Sequence, residues 1–313
     1  MEGGALMAQP LPLPKPNQPL LDVLALYGVT AKEFDAILKD GAQEAERLIP
    51  KLLEKHTTGS KVKAAQLRLV LRELRVMQSA LWADLGASLH TGVGQAAIKG
   101  GEGAEGVLAS VFAKTGTPIP PALLAGWREQ AKAGISSVLA KSKNGIPLSQ
   151  AVYHAGLLAS GQVDRKVAQG LLLGHNHKTI AQSVKHMILP TTAGGVSYAA
   201  HRLARTEINH AYQTAQEMRH KDEPWVKAMR WNLSKSHPKP DVCNFNATMP
   251  GPEGPGTYPI GQKPDSHPNC LCYQTPVQDS PDDFVEKFLA GEYNSYIDEV
   301  AYTHAPASEL LCP

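Results

Sequence analysis

The stretch SYAAHRLARTEINHAYQTAQEMRH, Ser197 to His220, decides how the chain is read. It has no proline or glycine. Ala204, Ile208, Ala211, Ala215 and Met218 recur three or four residues apart, the period of one helical face. Because that face is narrow and made mostly of small residues, it suits close packing against other helices. Upstream, from about Leu20 to His220, the same helical reading holds, with breaks at Gly and Pro. LDVLALYGVTAKEFDAILKDGAQEAERLIPKLLEK reads as two or three short helices, with Thr30 as N-cap and Glu33 completing a capping box. KVKAAQLRLVLRELRVMQSALWADLGASLH is the longest helix candidate, its buried stripe carried by Leu67, Leu71, Leu74, Leu81 and Leu85. The glycines of TGVGQAAIKGGEGAEG, Thr91 to Gly106, read as a flexible connection. Asn176 is placed to cap a short helix that ends before Pro190.

After Pro224 the character changes. WVKAMRWNLS has strand-like aromatic and β-branched content, and LCYQTPVQ is a second strand able to pair with it. Between them HPKPDVCNFNATMPGPEGPGTYPIGQKPDSHPNC is dense in Pro and Gly and poor in apolar residues, so something other than a core must order it. The tail after Ser280, itself a helix cap, holds one or two short helices. The expected fold is mainly α: a helical N-terminal body followed by a small α+β C-terminal domain whose Pro/Gly-rich loop is stabilised by zinc.

Composition narrows the classes. Of 313 residues, 42% are hydrophobic and 19% charged, both in the globular range, and no apolar run approaches the length of a membrane span. The first residues lack the basic region and apolar core of a secretory signal. A net charge of +2 gives no global attraction to nucleic acid, which disfavours a pure DNA-binding module. Four cysteines are too few for a disulfide framework, yet Cys243, Cys270 and Cys272 fall within thirty residues of one another.

That clustering favours a metal. Cys243, His267, Cys270 and Cys272 are the candidate ligands, with His237 and Asp241 close by. Zinc takes thiolate and imidazole ligands tetrahedrally, and an ion held at both ends of the long loop would close it. A structural zinc, a catalytic zinc and a metal-free loop in which these side chains only pack all remain open on spacing alone. Lys61, Arg68, Arg72 and Arg75 fall away from the leucine stripe, as a solvated face or as a contact for phosphate or an acidic partner. Arg205 and Glu207 flank the small-residue face, where such groups pair with a neighbouring helix or loop. Other motifs carry no chemistry. HNH at His175 to His177 sits at a helix start, and the two E-x-x-H strings, from Glu207 and from Glu217, are rotated apart on one helix. No GK[ST] follows the glycines and no GxSxG occurs.

Taken in order, RLARTEINHAYQTAQ, then MRWNLSKSHPKPDVC, then a Gly-Pro loop ending in HPNCLC resemble the C-terminal domain of phage Mu F-like minor head proteins, the head-morphogenesis family. The resemblance covers roughly Leu171 to Val277. Members commonly close with HP-x-C-R-C, and here Leu271 stands at the usual arginine. The resemblance implies a non-enzymatic minor structural protein of a tailed-phage head, located in the virion and in the host cytoplasm during assembly. Portal or major capsid protein, and packaged DNA, would be its partners, with no membrane. Arg205, Thr206 and Glu207 match the family's helix motif, and Cys243, His267, Cys270 and Cys272 its Cys and His positions. The implied organisation is a flexible arm over 1–19, a portal- or capsid-docking helical region over 20–170, the head-morphogenesis domain over 171–279 and a short helical tail over 280–313. The competing reading is a metal-dependent hydrolase or nuclease, or a toxin-like effector, using the Cys/His cluster. Against it, three thiolates would close the site, and too few residues follow Val277 for a fused effector.

Overall fold

The computed structural model describes residues 18–56, 64–115, 119, 121–189, 194–235 and 240–304. The expected arm over 1–19 lies outside them except for Gln18 and Pro19, which begin the first helix, and Lys61 and His237 lie outside them too. The fold is mainly α with one small antiparallel sheet, as the periodicities imply. Among the described residues the order is α1 (Gln18–His56), α2 (Ala64–Thr115), α3 (Pro121–Ala140), α4 (Leu148–Leu172), α5 (His177–Ile188), α6 (Val196–His220), β1 (Val226–Asn232), α7 (Val242–Thr248), β2 (Thr257–Tyr258), β3 (Tyr273–Gln278), α8 (Pro281–Leu289) and α9 (Asn294–His304).

Two expectations about the first hundred residues are corrected. The segment read as two or three short helices is one helix of 39 residues, α1. Thr30 does not cap it: the residue is buried inside the helix, and its hydroxyl donates to the Leu26 carbonyl. Glu33 accepts from Ser88 Oγ instead of closing a capping box. The glycines from Thr91 to Gly106 are likewise not a connection, because α2 runs through them to Thr115. Their use is close approach. A Cβ on Gly92 would collide with Thr30 Oγ1, and one on Gly100 would collide with the Tyr212 carbonyl oxygen. Bare backbone at these positions lets a neighbour press against α2, at a helix-propensity cost of about 1 kcal/mol per glycine.

The chain forms two compact units that do not follow chain order: one comprises Met1–Leu24, Gly94–Val138 and Asn209–Pro313, the other Ala25–Val93 and Leu139–Ile208. Helices α1, α2, α6 and, by its last two residues, α3 each contribute to both.

In the second unit, α1 buries Phe34, Leu38, Ala42, Ala45, Ile49 and Leu53, and α2 buries Val70, Leu74, Leu81, Leu85 and Leu89. The leucine stripe therefore faces the core, although Leu67 and Leu71, near the helix start, are only half-buried. Gly156 of α4 lies against Trp82, and Gly170 against Ile180 of α5. Asn176 caps α5 by accepting from the Thr179 backbone N–H at 2.9 Å.

Among its described residues the first unit packs two hydrophobic clusters. In the larger, Trp225 makes edge-on contacts with Phe284, Tyr293 and Tyr296 at centroid distances of 5.2–5.4 Å. Beside it Arg219 pairs with Glu223 at 2.6 Å, and its guanidinium lies 4.6 Å from the Trp127 ring centroid, so the buried charge has both an ion partner and a π face. The smaller core lies under the sheet, whose order is β2-β1-β3, with Met229 opposite Tyr258 on one side and Pro276 on the other. Met229, Trp231, Tyr258 and the three cysteines pack together there. Ser280 caps α8 as expected, accepting from Asp283 N.

Candidate metal centre

The loop read as lacking order of its own contains α7 and a chain of tight turns. Asp241 caps α7, accepting from Cys243 N at 2.7 Å, while the Asn244 side chain accepts from Asp241 N at 3.0 Å. This box fixes Cys243 in the first turn, pointing into the core under β1. The second half of the loop returns through His267-Pro268-Asn269. Asn269 takes a left-handed φ of 68°, which Asn tolerates better than most residues, and this turn delivers Cys270 inward.

The three thiols meet. Cys243, Cys270 and Cys272 are all buried and not disulfide-bonded, with their sulfurs within 4.8 Å of one another and Cys243 Sγ 3.5 Å from Cys270 Sγ. Two sulfurs on a tetrahedral zinc, each about 2.3 Å from it, stand about 3.8 Å apart, so the triangle is nearly preformed. The Cys272 backbone N–H points at Cys270 Sγ at 3.2 Å, a donor that would stabilise a thiolate. A second group shares a corner with the first: ligand atoms of Asp241, Cys243 and His267 also lie within 4.8 Å of one another. His267 Nε2 is 2.9 Å from Asp241 Oδ2, and its Nδ1 is 2.9 Å from the Pro268 carbonyl oxygen. A buried group of three cysteines that can hold a metal is thus present, with an imidazole next to its edge. Leu271, between the last two cysteines, is buried, so its side chain belongs to packing.

Electrostatics define what these thiols can do. Burial pushes the Cys243 thiol up to about 12, and contact with Cys270 together with burial raises Cys272. Neutral buried thiols are poor nucleophiles, whereas a bound cation would draw the protons off and hold three thiolates.

A polar face of α6 that sequence reasoning passed over holds the returning loop. Asn209, Gln213 and Glu217 recur every four residues and are all buried. Asn209 Nδ2 donates to the carbonyl oxygens of Cys270 at 3.0 Å and Cys272 at 3.2 Å, Gln213 Nε2 donates to Cys272 O at 2.7 Å, and Glu217 accepts from Gly261 N at 2.8 Å. Gln213 also donates to Asn209 Oδ1, which fixes the orientation of both amides. The readable signal is the N-x3-Q-x3-E spacing, which by sequence alone looks like a solvated face.

The remaining candidates lie elsewhere. Glu207 accepts from the backbone N–H of Lys143 at 2.9 Å in the connection before α4, the Arg205 guanidinium lies 5.6 Å from the Tyr27 ring centroid, and Thr206 donates to the Arg202 carbonyl. Arg68 and Arg72 are exposed on α2, while Arg75 pairs with Asp164 at 2.9 Å.

No protein-family model matches this chain, and neither a curated protein nor a solved structure matches it.

Proposed function

We propose that this chain is a minor structural protein of a tailed-phage head, acting in head assembly and in DNA packaging or delivery through contacts with the portal or major capsid protein. One observation carries the reading. Asn209 and Gln213, in the second half of the RLARTEINHAYQTAQ stretch, and the HPNCLC motif, about sixty residues apart in sequence, join in a single site where the two amides grip the backbone of Cys270 and Cys272 beside Trp231, while Arg205, Thr206 and Glu207 stand outside it. The elements whose ordered recurrence suggests the head-morphogenesis domain therefore serve one structural purpose, the bracing of a metal-closed loop.

The metal in this proposal is zinc. Three thiolates and an imidazole suit it by softness and by tetrahedral geometry, and His267 would exchange Asp241 for the ion as the fourth ligand. Bound zinc would supply cross-linking between α7 and the β3 approach. Such a donor set is closed, so no position is left for a hydrolytic water, and the role is architectural.

The test is the copy number of this chain in purified mature heads, by quantitative mass spectrometry against the portal protein. A low, fixed ratio to portal is expected, and absence from the particle would sink the proposal. Zinc is tested separately, by elemental analysis of reduced purified protein, where one equivalent per chain is expected and a stoichiometric amount of another metal, or none, refutes it.

A further inference from the structure

A feature that the metal centre leaves unexplained is a groove of about 570 Å³ between α2 and α4, contained within one compact unit. Its floor is Trp82, against which the bare Gly156 lies so closely that a Cβ would come within 2.8 Å of the indole. On α4 the lining runs from Ser149 to Asp164, a span of about 22 Å at 1.5 Å per residue.

Two buried polar side chains line this groove with atoms that have no partner among the described residues. Gln78 is 3% exposed, and neither its Nε2 nor its Oε1 has a hydrogen bond among the described residues. Asp164 is 9% exposed; its Oδ2 takes Arg75, but its Oδ1 has no partner there. A buried amide left unpaired carries its full desolvation penalty, so a group that enters the groove and completes it gains correspondingly.

The rim combines apolar and basic groups. Tyr153 and Leu157, one turn apart on α4, are 65% and 57% exposed. On α2, Arg68, Arg72 and Arg75 are spaced four and three residues apart, so they line one side of the helix leading to Ser79 in the groove, and Arg165 lies over Gly161 at its edge. Asp164 is the only carboxylate among the lining residues, and Arg75 already engages it.

We infer that this groove receives an amphipathic helix of a partner protein, whose apolar face lies over Trp82, Tyr153 and Leu157 and whose acidic side chains meet Arg68, Arg72 and Arg165. The length argues for a helix over a compact small molecule, since a four-turn trough between two helices is the shape a third helix fills. The apolar floor and the buried amide argue against a phosphate backbone, which offers no acceptor-and-donor pair for Gln78 and no apolar face for Trp82. Arg and Tyr at the rim are the residue types that anchor such contacts.

The experiment selects from a displayed library of 20-residue helical peptides against the full chain, then measures the winning peptides and a 20-base-pair DNA duplex by fluorescence anisotropy. Enriched peptides are expected to repeat apolar residues at three- and four-residue intervals with Asp or Glu beside them. Leu157→Asp should weaken binding at least tenfold, and the double change Arg68→Glu with Arg72→Glu should shift the preference toward Lys-bearing peptides. All three side chains are exposed, so melting curves should not move, which separates lost docking from lost folding. Enrichment without acidic residues, or binding indifferent to Leu157→Asp, overturns the inference. So does duplex binding that the arginine changes abolish and the peptides do not compete for, which would make this a nucleic-acid face.

Discussion

Replacing Asp279 with Asn should make the sheet-bearing unit less stable at neutral pH and should cost almost nothing in strong acid. Asp279 follows β3 with its side chain buried. Lys227 of β1 approaches it at 2.8 Å, Lys287 of α8 at 2.9 Å and the Tyr293 hydroxyl at 2.7 Å, while its own N–H donates to the Trp225 carbonyl. Burial alone would raise its pKa, but the three hydrogen bonds outweigh burial and lower it from 3.8 to about 2. At about 1.4 kcal/mol per pH unit the shift corresponds to about 2 kcal/mol, and because both lysines are partly exposed, solvent screening trims this to about 1–2 kcal/mol. A lowered folded-state pKa means that the stabilisation is complete above the unfolded value near 4 and is lost as pH falls through about 2. The assay is urea unfolding followed by tryptophan fluorescence, to which the neighbouring Trp225 contributes, for wild type and Asp279→Asn from pH 7 to pH 2. The gap between the two should be constant down to about pH 5 and then close. Losses elsewhere in acid affect both proteins equally. A gap that persists unchanged at pH 2, or no gap at pH 7, would refute the reasoning.

Three further outcomes are expected. Cys270→Ser should abolish stoichiometric metal and lower the melting temperature, with the wild type falling to the same temperature after exhaustive chelation; unchanged metal content would mean that the ion sits elsewhere. Asn209→Ala combined with Gln213→Ala removes the donors to both cysteine carbonyls and should weaken metal binding roughly 10- to 100-fold in competition with a chelating dye, leaving the stoichiometry intact. Gly100→Val drives side-chain atoms into the Tyr212 backbone and should destabilise by about 1–3 kcal/mol or more in thermal unfolding, whereas a flexible linker would accept it without loss.

Helical character, the α2 and α6 stripes and the Asn176 and Ser280 caps are legible in the sequence because each rests on local spacing, and the meeting of the three cysteines is legible from their clustering at the two ends of one loop. The errors come where tertiary context reverses a local meaning. Glycines such as Gly100 signal flexibility only when nothing presses on them, and here the Tyr212 backbone does. Thr30 has the chemistry of a cap, but it sits on the buried face of a helix that continues past it. Met218 belongs by spacing to the buried face of α6 and yet is 40% exposed, because the C-terminal half of that helix turns its amides and Glu217 inward to the loop. Asp279 could not be found at all: Lys227, Lys287 and Tyr293 come from three separate segments, and no spacing rule joins them.

The interleaving of the two compact units has a consequence for how the molecule comes into being. Every residue of one unit has been synthesised once Ile208 has left the ribosome, whereas the other waits for the C-terminal hundred residues to close over Gly94–Val138. The hydrogen bonds from Tyr212 to Asp22 and from Trp127 to Tyr296 span 190 and 169 residues, so their loop-closure entropy falls on the last stage of folding. Phe112 of α2 and Leu123 and Trp127 of α3 are covered in the finished fold by Trp225, Phe284, Tyr293 and Tyr296, all from those C-terminal residues. The unit that carries the three cysteines is thus the one with contacts of the longest sequence separation, and an ion bound by them, joining α7 to the approach to β3, would act as the latch on a late, long-range closure.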